Sequence, residues 1–404
     1  MSFAAARLAA VNPSASAWVS QAAREARARG QNIIDLGLGE PDFDTPDHIK
    51  AAAHQAALAG ETKYPPTQGT HAMRQAVVGK LARENGLSYT PEEVIVSNGA
   101  KQVLFNALMA TLEPGDEVLL CAPYFGQYKD IVLLLGGRPV PIPCPAEAGF
   151  RLTPAQLAGA ITAKTRWLLF NQPGNPSGAV YSEDEITALG AVLRAHPRVL
   201  ILSDEIYEHI LFDGRVFRSF AALCPDLRDR TLTVNGVSKA YAMTGWRIGY
   251  GAGPEALIAA MTKVQSQISS GACSIAQAAA AAALTGPQEC VRAFCAAFAR
   301  RRDLVVARIA DIPGLTLDPP GGAFYALIGC AALIGTRSPE GETLASDADV
   351  TAYLLRAAGV AAVPGSAYDL SPFFRISTAA SDAVLETALD RIARAVADLK
   401  GFRP

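Results

Sequence analysis

The sequence predicts an α/β protein: a mostly parallel sheet covered on both faces by helices, followed by a smaller α/β domain. Two observations carry this. Short apolar runs alternate with stretches of helical periodicity along most of the chain, and the runs are near-continuously apolar, as strands buried on both faces are. Beyond about residue 286 the texture changes, and a long charged helical stretch leads past Pro313-Gly314 into shorter elements. The 404 residues, half of them hydrophobic, suit two or three domains with ample core.

In order, Ser16 or Ser20 starts a helix that runs to about Arg29 and is ended by Gly30. A short strand follows at 33–36, then a loop rich in Gly, Pro and Asp, Gly37-Leu-Gly-Glu-Pro-Asp-Phe-Asp-Thr-Pro46. Helices are predicted at 47–58 and 70–85. Strands are predicted at 94–97, 117–120, 167–170, 199–203, 231–235 and 247–251, most of them separated by helical stretches. The later region reads as a helix over 287–310, strands near 315–317, 323–328, 360–363 and 373–376, and helices near 347–357 and 382–399.

The formal net charge of −2, with dispersed charges, argues against a nucleic-acid or membrane-surface partner. No apolar stretch is long enough to predict a membrane span. The seven cysteines form no CxxC pair, which reads as free thiols in a reducing, cytoplasmic setting. The five histidines include no His-x-x-x-His pair, and no metal site is expected.

Several segments carry chemistry. Ser97-Asn-Gly-Ala-Lys-Gln102 sits at a strand-to-helix junction, where Gly99 and Ala100 let backbone approach a ligand and the helix start offers amides to an anion. On its own this is more often an ordinary βα turn. Phe170-Asn-Gln-Pro-Gly-Asn-Pro-Ser-Gly178 is a loop held by prolines and glycines, with Asn171 and Asn175 as directed polar groups. Asp204 ends an apolar strand, where open α/β sheets hold ligands; it could equally cap the next turn. Lys239 lies in Asn235-Gly-Val-Ser-Lys-Ala-Tyr-Ala-Met-Thr-Gly-Trp-Arg-Ile-Gly-Tyr250, just after an apolar strand and near Arg247. A lysine so placed suits a Schiff base formed beside a bound phosphate.

Together these residues resemble the class I aminotransferases, fold-type-I pyridoxal-phosphate enzymes, and in particular the bacterial aspartate aminotransferases. Ser238-Lys-Ala-Tyr-Ala-Met-Thr-Gly-Trp-Arg-Ile-Gly249 is similar to the family's lysine signature. Gly39-Glu-Pro-Asp-Phe-Asp-Thr-Pro46, Asn175-Pro-Ser-Gly178, Ser203-Asp-Glu-Ile-Tyr207 and Phe374-Arg-Ile-Ser377 resemble further family motifs in the expected order. The resemblance implies a seven-stranded sheet and three regions: residues 1–45 joining the small domain, 46–286 as the large cofactor-binding domain, and 287–404 as the small domain.

It also implies roles. Lys239 carries pyridoxal 5'-phosphate and shuttles the substrate proton. Asp204 faces the pyridine nitrogen, and Tyr207 and Asn175 the phenolic oxygen. Gly99, the amides of Ala100 and Lys101, Ser238 and Arg247 hold the phosphate. Phe125 stacks on the ring, and Tyr64 reaches the cofactor of a second subunit, which implies a homodimer with its active sites at the interface. Arg375 grips the α-carboxylate of an amino acid or 2-oxo acid, helped by Gly39 and Asn175.

The sequence departs from the family in places. Gly236 stands where many relatives have a phosphate-binding serine, and Gly174 and Ser177 alter a common loop. For specificity, Lys101 and Ser16 favour a dicarboxylic substrate such as aspartate, with 2-oxoglutarate as acceptor. Phe125 argues against it, because it has no N–H to offer, and Asn12 replaces a basic residue found in relatives that use prephenate. Aromatic or small neutral amino acids, or carbon–sulfur β-elimination on the same fold, are the alternatives.

Overall fold

The computed structural model describes residues 3–11 and 13–401; Asn12 lies outside them. Its strands are β1 (Ile34–Asp35), β2 (Val94–Ser97), β3 (Glu117–Ala122), β4 (Arg138–Pro143), β5 (Thr165–Asn171), β6 (Leu200–Asp204), β7 (Thr231–Gly236), β8 (Gly249–Ala252), β9 (Tyr325–Gly329), β10 (Val360–Ala361), β11 (Val363–Pro364) and β12 (Phe373–Ser377). The main sheet has seven strands in the order β2-β8-β7-β6-β5-β3-β4. Strands β7, β6, β5, β3 and β4 run parallel, while β8 is antiparallel to both of its neighbours. Helices such as Ala100–Thr111, Glu183–Arg194 and Ser274–Thr285 connect and cover the strands.

In this sheet, two features differ from the sequence expectation. Strand β4 was not predicted, because Pro139, Pro141 and Pro143 disguise it. They fall on alternate positions, so their missing N–H groups all face the open edge of the sheet. The intervening register is set from the other side, with Arg138 N donating to Asp116 O and Cys144 N to Ala122 O. Strand β8 starts at Gly249, not at 247, because Arg247 is held in the left-handed region at φ 57°.

A second sheet, β11-β12-β9, is antiparallel. Residues 315–317 contribute only a bridge between Thr316 and Gly329. The predicted strand at 360–363 divides in two because the chain changes partner: β10 pairs with β1, and β11 with β12. Leu36, from the N-terminal segment, packs in the same core as Ile328, Phe374 and Leu389. The helix Ala15–Ala28 lays Val19, Ala23 and Ala26 against Val363 and Tyr368. Between the two sheets, Tyr207, Ile210 and Phe212 pack with Phe298, Phe324 and Tyr325.

A buried polar network gathers around Glu208. Glu208 accepts from Lys80, from Asn85 Nδ2 at 2.6 Å and from Asn235 Nδ2 at 2.8 Å. The nearby Glu205 is fully buried, and one of its carboxylate oxygens has no partner among the described residues. Burial, reinforced by the charge of Glu208, pushes its carboxyl up to about 7. An acid whose folded pKa exceeds its unfolded value stabilises the fold most at low pH. That stability is fully present below the unfolded value of about 4.5 and is lost as pH rises through about 7. Wild type should therefore lose up to roughly 3 kcal/mol relative to Glu205→Gln between pH 5 and pH 8. Denaturant titrations of both proteins across that range measure it, and a pH-independent gap would refute it.

Candidate active site

Sheet polarity gathers the site. The C-terminal ends of β2, β5, β6 and β7 reach one edge, and the antiparallel β8 brings its N-terminal end to the same edge. Pairing fixes the alignment: Asn171 opposes Asp204, Asp204 opposes Val234, and Gly249 opposes both Ser97 and Gly236. Beyond this edge lies a cavity of about 400 Å³, a size typical of small-molecule sites.

Lys239 sits in the turn after β7, half-buried, and its Nζ donates to Gly39 O at 2.6 Å. It stands 5.9 Å and 5.7 Å from the ring centres of Tyr207 and Phe324. Burial first, then the Arg375 guanidinium, brings its amine down to about 8. An amine so poised is partly neutral near physiological pH, as a nucleophile or proton shuttle must be.

Asp204 is buried at the end of β6. It accepts from Tyr128 Oη at 2.6 Å and from Ile206 N at 3.3 Å, so it does cap its own turn while facing the cavity. Burial pushes its carboxyl up, and the Tyr128 hydroxyl and Ile206 amide hold it down. Tyr207 Oη pairs with Tyr325 Oη at 2.7 Å. Burial holds the Tyr207 phenol well above its ordinary value, so it remains protonated. Asn175 is placed by Asn171, whose Oδ1 accepts from its amide at 2.8 Å.

The Gly99–Ala100 turn packs tightly on β8. Gly99 has φ 87°, and a Cβ there would meet Arg247 Nη2 at 2.3 Å; a Cβ on Gly249 would lie 2.1 Å from Ala100 N. Glycine at both positions lets the start of the Ala100–Thr111 helix, Arg247 and Ser238 close around one anion-sized space. Arg247 Nη1 donates to Thr244 O at 2.8 Å, and it has no carboxylate partner among the described residues. Gly236 pairs with Gly249, and a Cβ there would lie 3.0 Å from Ile248 O, so a serine could not be added without moving β8.

Arg375, on β12, is 2% exposed yet has no acidic partner among the described residues. Its Nη1 donates to Asn175 Oδ1 at 2.9 Å, its Nη2 to Gly37 O at 2.6 Å and to Ser16 Oγ at 3.4 Å, while its Nε has no partner among the described residues. It lies 4.3 Å from the centre of the Tyr325 ring. Ser16, Gly39, Ala100, Lys101 and Phe125 also line the cavity. Gly99 stands just behind its wall. Tyr64 is 95% exposed and lies outside the cavity of its own chain.

The sequence reading missed Tyr128, Tyr325, Glu40 and Thr244, all of which line the cavity. Tyr128 lies one helical turn from Phe125 and packs edge-on to it at 5.4 Å, so spacing could have signalled it. Tyr325 carried no local signal, because its site contacts come from distant segments.

The profile of the family described as aminotransferase class I and II matches residues 31–392. The chain belongs to this family. It is 52% identical to an aspartate aminotransferase of Rhizobium meliloti (strain 1021) over 391 residues, 97% of this chain and 95% of that one. Against an aspartate/prephenate aminotransferase of Cereibacter sphaeroides it is 52% identical, over 97% of this chain and 98% of the other. Among solved structures, the Rhizobium meliloti aspartate aminotransferase superposes with a TM-score of 0.96 at 51% identity, covering 99% of this chain and 100% of that one. The Thermus thermophilus enzyme with maleate gives 0.90 at 42% identity, over 98% and 100%.

The protein is therefore a pyridoxal-phosphate-dependent aminotransferase of fold type I. Its residues fit that cofactor. The buried Asp204 forms no ion pair among the described residues and could take one from a protonated pyridine nitrogen, and the glycine-lined cradle with Arg247 suits a phosphate. Arg247→Gln is expected to weaken pyridoxal phosphate binding to the apoprotein about 10- to 100-fold, by loss of a charge-assisted contact. Fluorescence titration measures this, with phosphate-free pyridoxal as control; an equal loss for pyridoxal would place the effect elsewhere. Lys239→Ala should abolish the visible absorption band of the cofactor-loaded protein, and an unchanged band would exclude Lys239 as the attachment point.

Proposed function

We propose that this aminotransferase moves the amino group of a dicarboxylic amino acid, aspartate foremost, to a 2-oxo acid such as 2-oxoglutarate. The observation that carries this reading is Lys101. It lines the cavity, its Nζ lies 5.5 Å from the Phe125 ring centre, and it has no acidic partner among the described residues. Lost hydration and then the Arg247 charge lower its pKa, an unfavourable setting that an anionic substrate would relieve. The names of the similar proteins point the same way, as does the maleate, itself a dicarboxylate, in the Thermus structure.

The roles we assign are those the family resemblance implies, and the geometry of the cavity is compatible with them. When bound, pyridoxal phosphate supplies an electron sink for the charge left at the substrate Cα. Asp204, steadied by Tyr128, would keep the ring nitrogen protonated. Tyr207 and Asn175 would donate to the ring's phenolic oxygen, and Phe125 would cover the ring face. Gly99, Ala100, Lys101, Ser238 and Arg247 would hold the phosphate. Arg375 would bind the α-carboxylate, with Asn175 and Gly39 beside it, and Lys239 would take the Cα proton and deliver it to the adjoining carbon of the cofactor.

The exposed Tyr64 supports a homodimer in which it reaches the partner's phosphate. We take 46–286 as the cofactor-holding domain and 287–404, with 1–45, as the smaller one. The seven cysteines are all unpaired, which fits a reducing, cytoplasmic setting. Among the described residues no helix is long and apolar enough to cross a membrane.

Single-turnover spectra with each amino acid test the assignment. Aspartate and glutamate should react at least tenfold faster than alanine, in line with one added charge-assisted contact. Lys101→Ala should remove that preference while sparing alanine. Parity between aspartate and alanine in the wild type would overturn the reading.

A further inference from the structure

Asp369 follows the short helix Gly365–Tyr368, between β11 and β12, and sits in the left-handed region at φ 54°. Residues other than glycine enter that region at a cost, aspartate and asparagine less reluctantly than most. The contacts of its side chain give that conformation a purpose. Its Oδ1 accepts from Lys129 Nζ at 3.0 Å, and its Oδ2 accepts from Lys129 Nζ at 3.1 Å and from the Tyr124 hydroxyl. Tyr124 is buried, while the ion pair is partly exposed and screened by water, so the phenol makes the stronger contact.

This carboxylate joins two walls of the cavity. On one side, Tyr124 precedes Phe125, which lines the cavity, and Lys129 follows Tyr128, which donates to Asp204. On the other, Asp369 follows Tyr368, whose ring centre lies 5.2 Å from the Arg375 guanidinium. Tyr368 packs against Val363, and Val363 opposes Arg375 in the β11–β12 pairing. The two segments also meet backbone to backbone, since a Cβ on Gly126 would lie 2.8 Å from Ala367 O. Nearby, Phe150 packs edge-on to Phe373 at 5.8 Å. Apolar contact of that kind holds surfaces together without fixing how far one slides on the other. A hydrogen bond beside a two-oxygen ion pair does fix it, because it is directional.

We propose that Asp369 is a positioning residue: clamped by Tyr124 and Lys129, it holds the wall bearing Tyr368 and Arg375 in register with the wall bearing Phe125 and Tyr128. Asp369 does not itself line the cavity. The residues assigned to the cofactor all lie on the second wall or on the main sheet, whereas the substrate spans both walls. Amino-acid binding therefore depends on the clamp and cofactor binding does not. This rests on the reading of Arg375 as the carboxylate-binding residue, and its test separates the two.

Single-turnover reaction of the pyridoxal-phosphate-loaded enzyme, followed by absorbance over a range of aspartate and of alanine concentrations, gives a dissociation constant and a limiting rate for each. Fluorescence titration of the apoprotein gives cofactor affinity. Asp369→Gly removes the clamp at a position whose φ glycine takes without strain. It should raise both amino-acid dissociation constants about tenfold, as loss of a hydrogen bond to a charged group does, with limiting rates and cofactor affinity held within about twofold. Tyr124→Phe, which leaves the backbone at 369 untouched, should show the same division. Asp369→Asn keeps an acceptor for Tyr124 without the ion pair and should raise the constants only about two- to threefold. Lys129→Gln should match it in the wild type and add nothing in the Asp369→Gly background. A residue that merely supports folding would instead weaken cofactor and amino acid together, and the Lys129→Gln effect would persist in that background; either result overturns the proposal. If Arg375→Gln weakens amino-acid binding while Asp369→Gly and Tyr124→Phe leave it unchanged, the clamp has no part in binding and the reading of Arg375 stands. If Arg375→Gln leaves amino-acid binding unchanged, that reading fails and this proposal with it.

Discussion

Because β8 runs against its two neighbours, its first residue rather than its last reaches the catalytic edge of the sheet. The rest of the cleft depends on that reversal. A parallel strand at the same place would send the residues before it, Arg247 among them, to the far end of the sheet. As built, Gly249 lies between Ser97 and Gly236, and a Cβ on it would strike the Ala100 amide. One chain reversal and a run of glycines thus bring Arg247, the Gly99–Ala100 turn and the Lys239 turn together. No helix or loop has to be specialised to do it.

The cleft this produces is electrostatically lopsided. Lys101, Lys239, Arg247 and Arg375 line it, against Asp204 and Glu40. A cluster of cations is costly to hold together, and part of the cost is visible in the lowered pKa of Lys101 and Lys239. The cost falls when anions arrive, so the site favours ligands bearing a phosphate and carboxylates. It also couples the residues. Once a carboxylate neutralises Arg375, one of the charges that depress Lys239 is offset, and the lysine holds a proton more tightly when it has one to carry.

Much of this was legible in the sequence. Strands β2, β6 and β7 and the helix Asp47–Leu58 fall where apolar runs and periodicity put them, and Asp204, Lys239 and the Asn175 loop stand out through glycine, proline and strand-end placement. What sequence could not show has a common cause. The direction of β8 depends on its partners rather than its own residues, and the proline-bearing β4 is a strand only because it is an edge. Tyr325 and the Ser14–Gln127 bond are contacts between segments distant along the chain, which no local pattern encodes. The division of roles between Lys101 and Phe125 was left open for the same reason: a side chain's chemistry can be read from its name, but its neighbours cannot.

Tyr325 shows how tightly these segments are bound to one another. Its hydroxyl pairs with Tyr207 and occupies the space where a side chain on Gly39 would begin, 2.0 Å from an ideal Cβ. Its ring lies under Arg375. One phenol thus touches the N-terminal strap, the main sheet's ligand edge and the small sheet's arginine. Positions 39, 207 and 325 are therefore not free to vary one at a time. A larger residue at 39 is tolerable only with a smaller one at 325, and that exchange leaves Tyr207 without its partner and Arg375 without its platform. The three positions, scattered across nearly the whole chain, are thus coupled through one side chain.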